Sequence, residues 1–226
     1  MGYDFDWAVI IRFFPRFLPA IWLTIEVFVL AQLLSLAIAL VFSVSANAAR
    51  NPLFRRATAL YSWIFRGLPE LVVLMFCFLA LPKLGISLSP VQAAVIGLAL
   101  IASAYEFEVL RGAFTAVSRH QSEAAWALGL SKWNSYRHVI LPQVMRVALP
   151  PLLTFACTSL KRTSVASAVA VVEIMGMAKR LIDVLQKPFE LMLIAMISYI
   201  VLSSIIMALE HTVRRRYVIP GRTGAR

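Results

Sequence analysis

Five apolar runs limit what this chain can fold into. They cover about residues 17–46, 57–81, 89–110, 144–172 and 189–209. Each is long enough to cross a bilayer, which takes about 20 helical residues. All are rich in Leu, Ile, Val, Ala and Phe, and none alternates with a period of two, so a β-barrel is not expected. The chain is 61% hydrophobic and only 15% charged. A soluble core of 226 residues could not hide that much apolar surface. The first run is too long for a signal-peptide core, and Asp4 and Asp6 precede it where a signal peptide carries basic residues. The expected fold is therefore an all-α integral membrane protein with about five transmembrane helices.

The net charge of +11 raises the question of nucleic acid, and the positions of the charges answer it. Thirteen of the 22 Lys and Arg fall on one side of the predicted topology: Arg50, Arg55 and Arg56, then Arg111, Arg119, Lys132, Arg137 and Arg146, then the tail from Arg214 to Arg226. Six fall on the other side, and Arg66, Lys161 and Arg162 lie within spans. Positive charge collects on the cytoplasmic side, so the N-terminus should face out and the C-terminus in. Arg214, Arg215 and Arg216 read as an anchor against anionic lipid heads in the bilayer. No basic face is interleaved with aromatics, and no nucleic-acid partner is expected. Cys77 and Cys157 lie in apolar runs and read as small buried hydrophobes. His120, His138 and His211 do not group into a metal site.

The longest polar interval, about residues 113–143, falls between spans three and four. Glu123 to Leu128 is strongly helix-forming, Gly129 is placed to end that helix, and Ser131 is a suitable N-cap for a second one. Pro142 is expected to end or redirect the second helix. Two short helices joined by a glycine turn should therefore lie on the inner membrane surface. The spacing is Glu123-Ala124-Ala125, three residues, Gly129, nine residues, then Val139-x-Leu141-Pro142. It resembles the EAA loop of ABC-importer permeases, with Val139 in place of the usual Ile. Further stretches resemble the polar amino-acid permeases of that group: Phe65 to Pro69, Ala104-Tyr105 through Glu108 to Gly112, Ala148 to Pro151, Lys161 to Ser164, and Pro188 to Glu190. Together they span roughly residues 20–215.

The resemblance implies one transmembrane permease domain over residues 1–226, in a bacterial inner membrane. It implies import of a polar amino acid or derivative, such as histidine, arginine, glutamine, glutamate or an opine, by alternating access. It also implies separate ABC ATPase subunits, a second identical or homologous permease and a periplasmic substrate-binding protein. Glu123, Ala124, Ala125, Gly129, Leu141 and Pro142 would form the contact with the ATPase. For Glu123 a plainer role is a charge favouring its own helix dipole. No G-x-x-x-x-G-K-[ST] can be written in the chain. The chain is thus not itself expected to be an enzyme or to hold a cofactor; ATP and Mg would sit on the partner subunits.

Ionisable groups inside spans are costly and are functional candidates by default. Glu70 follows Gly67-x-Pro69, a pair able to open the second span toward a cavity. It is read as an acidic group of the substrate pathway or as a partner of Arg66, four residues earlier. Glu108 is expected to pair with Arg111; it is also counted, with Lys161, Arg162, Thr163 and Ser164, among the candidate residues of the substrate pathway. Lys161, Arg162, Thr163 and Ser164 should lie near mid-membrane. The two cations are suited to a substrate carboxylate, or to pairing with Glu26, Glu70 or a neighbouring subunit. Arg162 stands where the resembled family has an acid, which argues against simple transfer of a cationic specificity. Glu173, Lys179, Arg180 and Asp183 are expected in a solvated outer connection or a short interfacial helix, where a binding protein could touch them. A proton-coupled transporter using Glu26, Glu70 and Glu108 as a relay remains the alternative, with an integral-membrane enzyme a third.

Overall fold

The computed structural model describes residues 5–48 and 52–217. Asp4, Arg50, Arg222 and Arg226, which enter the charge count above, lie outside them, as does the side chain of Arg216. The described residues contain helices and turns and no strand. The α-helices are α1 (Trp7–Ala48), α2 (Pro52–Gly67), α3 (Glu70–Met75), α4 (Pro90–Ala116), α5 (Arg119–Ala127), α6 (Lys132–Ser135), α7 (Leu141–Arg162), α8 (Ile174–Leu185) and α9 (Pro188–Tyr217). Four continuous helical segments are long and apolar enough to cross a membrane: Trp7–Ala46, Pro90–Ala116, Lys132–Val169 and Pro188–Arg215.

A fifth crossing is made in two pieces. Instead of one helix over 57–81, α2 stops at Gly67 and α3 begins at Glu70, with a bend of 102° between α2 and the helical stretch that runs on to Leu84. Pro69 explains the stop. Its ring cannot donate to the preceding turn, and it pushes the residue before it out of the α region. The helical path after α3 widens into a π turn at Phe76–Ala80 and tightens into a 3₁₀ turn at Leu81–Leu84, closed by Gly85 at φ +83°. Ser89 then starts α4 with a capping box, its hydroxyl accepting from Gln92 N–H and Gln92 answering at Ser89 N–H.

The α4 helix is the centre of the bundle. Its buried positions include Ala93, Ala94, Gly97, Ala99, Ala102 and Ala104. Small residues let backbones approach closely where no hydrophobic force drives helices together. At Gly97 an added Cβ would stand 2.9 Å from Leu74 Cδ1. The outward faces remain apolar, with Trp22 68% and Ile200 61% exposed, as expected of surface that meets lipid rather than water.

Three expectations are corrected. The second helix of the polar interval does not end at Pro142. The α6 helix passes through a π turn at Tyr136–Ile140 directly into α7, so Ser131 caps one long rod. Pro142 stands just after the π turn, where the ladder is already irregular. Span four is not α-helical to Val172. The α-helix closes at Arg162 and a 3₁₀ turn carries Thr163–Val169. Glu173 is not solvated. It is fully buried as the N-cap of α8, accepting from Met175 N–H (3.0 Å), Gly176 N–H (2.8 Å) and Tyr199 O–H (2.6 Å). Burial raises its carboxyl above the usual carboxylate range. Lys179, Arg180 and Asp183 are exposed, as expected.

Candidate functional site

Two regions collect the residues that carry chemistry. The first lies where the broken span meets the end of α7. Glu70 opens α3, and Arg162 ends α7. Arg162 Nε donates to Glu70 Oε1 at 2.9 Å, with the side chains 25% and 20% exposed. Of the partners considered for Glu70, Arg162 is therefore the one it takes. Arg66 turns instead toward Glu108, at 3.8 Å. Tyr105 from α4 and Phe155 from α7 stack on each other, with ring centroids 5.6 Å apart. The Arg162 guanidinium lies over both rings, 5.2 Å and 5.1 Å from their centroids.

Beside this pair is a small cavity lined by Gln32, Glu70, Ser159, Arg162 and Thr163 among others. It offers about 10 Å³ to the centre of a water molecule, room for about one. Arg162 Nη1, Ser159 Oγ and Gln32 Oε1 are buried there without a hydrogen-bond partner. Two donors and one acceptor thus face one enclosed space. Thr163 lines the cavity with its hydroxyl already engaged, donating to Leu160 O at 2.7 Å. Ser164 donates to Lys161 O at 2.9 Å, and Lys161 is exposed on the chain surface. The four consecutive residues therefore divide: Arg162 and Thr163 line the cavity, Ser164 enters the 3₁₀ turn and Lys161 lies on the surface.

Glu108 sits one layer away. It accepts from Ser62 Oγ at 2.7 Å and from Arg111 Nε at 3.0 Å, the local pair expected three residues apart. It faces a recess of about 820 Å³ shared with Arg55, Arg111 and Arg119. Glu26 is exposed on α1, away from any carboxylate chain. Glu106 lies two residues before Glu108 on α4. Fully buried, it is bonded to Gln32 Nε2 across to α1.

The second region is the polar interval. Ser118 caps α5, accepting from His120 N–H. At the other end, Leu130 N–H reaches back to Ala125 O at 3.1 Å and Gly129 N–H to Trp126 O at 2.9 Å. This crossed pattern requires a left-handed residue, which Gly129 supplies at φ +80°. Ser131 then caps α6 through Asn134 N–H. Ala125 is buried, whereas Glu123 and Ala124 are exposed. Trp126 is 50% and Leu128 83% exposed, an apolar tip on an otherwise polar turn. Glu123 lies 3.1 Å from His120 Nδ1. Leu141 and Pro142 start α7.

The sequence signals missed Phe155 and Gln32. Phe155 stands seven residues before Arg162, two turns along the same helix face, so that spacing was available in the sequence. Gln32 carries no local signal, because its partner Glu106 is 74 residues away.

A polytopic helical bundle with a broken span, a paired carboxylate and guanidinium at the break, and a capped helix–turn at one end is a membrane transport subunit. The chain belongs to the family of binding-protein-dependent transport system inner membrane components, which matches residues 39–219. It is similar to the probable amino-acid ABC transporter permease YckA of Bacillus subtilis, with 36% identity over 78% of each chain. It is also similar to the nopaline transport system permease NocM of Agrobacterium fabrum, 31% identical over 90% of this chain and 88% of that one. The crystal structure of an amino acid ABC transporter with histidines superposes with a TM-score of 0.86, at 26% identity, covering 95% of this chain and all of that one. This is a multi-pass membrane protein, and subunits of its family work with ATPase and binding-protein partners.

Proposed function

We propose that this chain is the membrane-spanning permease subunit of an ATP-driven importer that moves a polar amino acid, or a derivative such as an opine, by alternating access. The observation that carries the reading is the Glu123-Ala124-Ala125…Gly129 turn. It is capped at both ends and stands at one end of a continuous helix whose other end is Arg162. The exposed Trp126 and Leu128 suit insertion into a groove of an ABC ATPase, and Glu123 suits a basic group at its rim. Ala124 and Gly129 keep that approach close. Leu141 and Pro142 begin the rod that carries the motion inward.

In this reading ATP and Mg are held by the ATPase subunits, and the chain is one permease domain paired with a second, identical or homologous copy. A periplasmic binding protein delivers substrate to its outer face. The N-terminus faces the periplasm and the C-terminus the cytoplasm of a bacterial inner membrane. Glu70, Arg162, Thr163 and the cavity they line form the substrate pathway, with Lys161 and Ser164 flanking them along the chain. Arg162 Nη1 and Ser159 Oγ are unused donors suited to a substrate carboxylate. Glu108 and the arginines around its recess form the inner vestibule. A proton relay finds no support: Glu70 and Glu108 are engaged by arginines, and Glu26 lies apart on the surface.

The test is Gly129→Asp. Nothing stands within 4 Å of a Cβ at this position, so the cost within the fold is limited to the left-handed backbone, about 1 kcal/mol. The expected result is a permease that inserts normally while uptake is lost and ATP hydrolysis no longer responds to the loaded binding protein. Normal uptake refutes the assignment.

A further inference from the structure

The surroundings of Arg162 exceed what an ion pair needs. A carboxylate oxygen at 2.9 Å and two ring faces at 5.2 and 5.1 Å are the groups by which proteins recognise a free guanidinium or ammonium ion. The elements are separate: Glu70 comes from α3, Tyr105 from α4, and Phe155 with Arg162 from α7. The cage is closed by the stacking of Tyr105 on Phe155 at an interplanar angle of 25°. Arg66 lies over Tyr105 as well, 5.7 Å from its centroid, adding positive charge beside the cage. The adjoining cavity has space for about one water and none for a second cationic head. Its unpartnered groups are two donors, Arg162 Nη1 and Ser159 Oγ, and one acceptor, Gln32 Oε1, a set that one water can satisfy.

We propose that Arg162 is the resident cation of a Glu70–Tyr105–Phe155 cage, and that by filling this cage it determines specificity, shutting out substrates with a cationic side chain. The inference rests on the reading that this cavity lies on the substrate pathway. Its chemistry is separable from that reading, because a vacated cage should bind a small cation whether or not substrate passes it. The substrate class that remains is a neutral or acidic amino acid or derivative.

The experiment uses the purified complex of permease and ATPase subunits, with methylguanidinium as probe. In Arg162→Gly, about 10 mM methylguanidinium is expected to raise the melting temperature by several degrees over the same concentration of sodium chloride, as mass action requires of a ligand of millimolar Kd. Wild type should not respond, and the Glu70→Gln/Arg162→Gly double variant should lose the response. In reconstituted vesicles, arginine should inhibit uptake by Arg162→Gly roughly tenfold more strongly than uptake by wild type, equivalent to about 1.4 kcal/mol of new affinity. No methylguanidinium response in folded Arg162→Gly overturns the cage. A response with unchanged uptake selectivity leaves the cage standing, but overturns the specificity role and the pathway reading beneath it. If Arg162→Gly does not accumulate, Arg162→Lys decides. Continued exclusion of arginine with an ammonium in the cage supports the proposal, and new inhibition by arginine overturns it.

Discussion

Replacing Glu173 with Ala tests the least expected feature of the fold. The carboxylate caps α8 and ties it to α9 through Tyr199. The next residue, Ile174, donates its N–H to Thr24 of α1 at 3.1 Å, so three helices meet at this knot. Removing the side chain orphans two backbone N–H groups and one phenol. Each orphaned buried donor costs roughly 1–3 kcal/mol, and loss of an N-cap alone costs about 1 kcal/mol. Relief from burying the carboxylate offsets part of this. A net loss of about 3 kcal/mol follows, which for a chain of this size lowers the melting temperature by roughly 10 °C. Thermal unfolding of the detergent-solubilised permease, followed by tryptophan fluorescence, reads the shift. Glu173→Gln adds a check on sign. Burial raises the carboxyl of Glu173, so its contribution is full below the usual carboxylate range and is lost as pH rises through the raised value. The stability gap between wild type and Glu173→Gln should therefore narrow with rising pH. A Glu173→Ala shift under about 0.5 kcal/mol, within the range of an ordinary surface change, refutes the reasoning.

Two further outcomes follow from packing. Gly176→Ala would set its Cβ 2.2 Å from Val171 O, a backbone contact that cannot rotate away, so the variant should accumulate poorly in membranes; wild-type yield would refute this. Glu106→Gln keeps an acceptor for Gln32 and adds donors of its own, so its melting temperature should stay close to wild type, whereas Glu106→Leu strands a buried amide and should lose about 2 kcal/mol; the two variants melting together would refute the pairing.

Much of this architecture is legible in the chain because its signals are local. Five apolar runs give five crossings. Gly67 and Pro69 mark the break in the second, and Gly129 and Ser131 punctuate the surface turn by capping rules that act within a few residues. Glu108 and Arg111 meet because three residues on a helix are neighbours. Local rules fail where a partner comes from far along the chain. Glu173 sits among charged residues and reads as solvated, yet its phenol partner lies on the next long helix and its neighbour's acceptor on the first. Pro142 reads as a terminator, yet a π turn just before it lets the rod continue. Glu70 has a basic residue four positions before it, but the intervening break turns the two away from each other, and Glu70 finds Arg162 from 92 positions further on.

That pairing has a physical logic that joins the local and distant levels. Glu70 stands in the first turn of its helix and Arg162 in the last turn of another. An acid at an N-terminus and a base at a C-terminus are each favoured by their own helix, by roughly 0.3–1 kcal/mol. Both ends exist because the chain interrupts its helices there, at Pro69 on one side and by the change to a 3₁₀ turn on the other. An unbroken second span would leave Glu70 in mid-helix with no free N–H groups near it, and an unbroken fourth would do the same to Arg162 and its carbonyls. The interruptions thus create the two ends that stabilise the charges, and the charges join the ends. The same rod that ends at Arg162 begins at Lys132, roughly 45 Å away at 1.5 Å per residue. Between them the rod softens at the π turn of Tyr136–Ile140 and at Pro150–Pro151, which remove two ladder N–H groups. Displacement of the surface turn therefore reaches the Glu70–Arg162 junction through one helix with two defined points of bending.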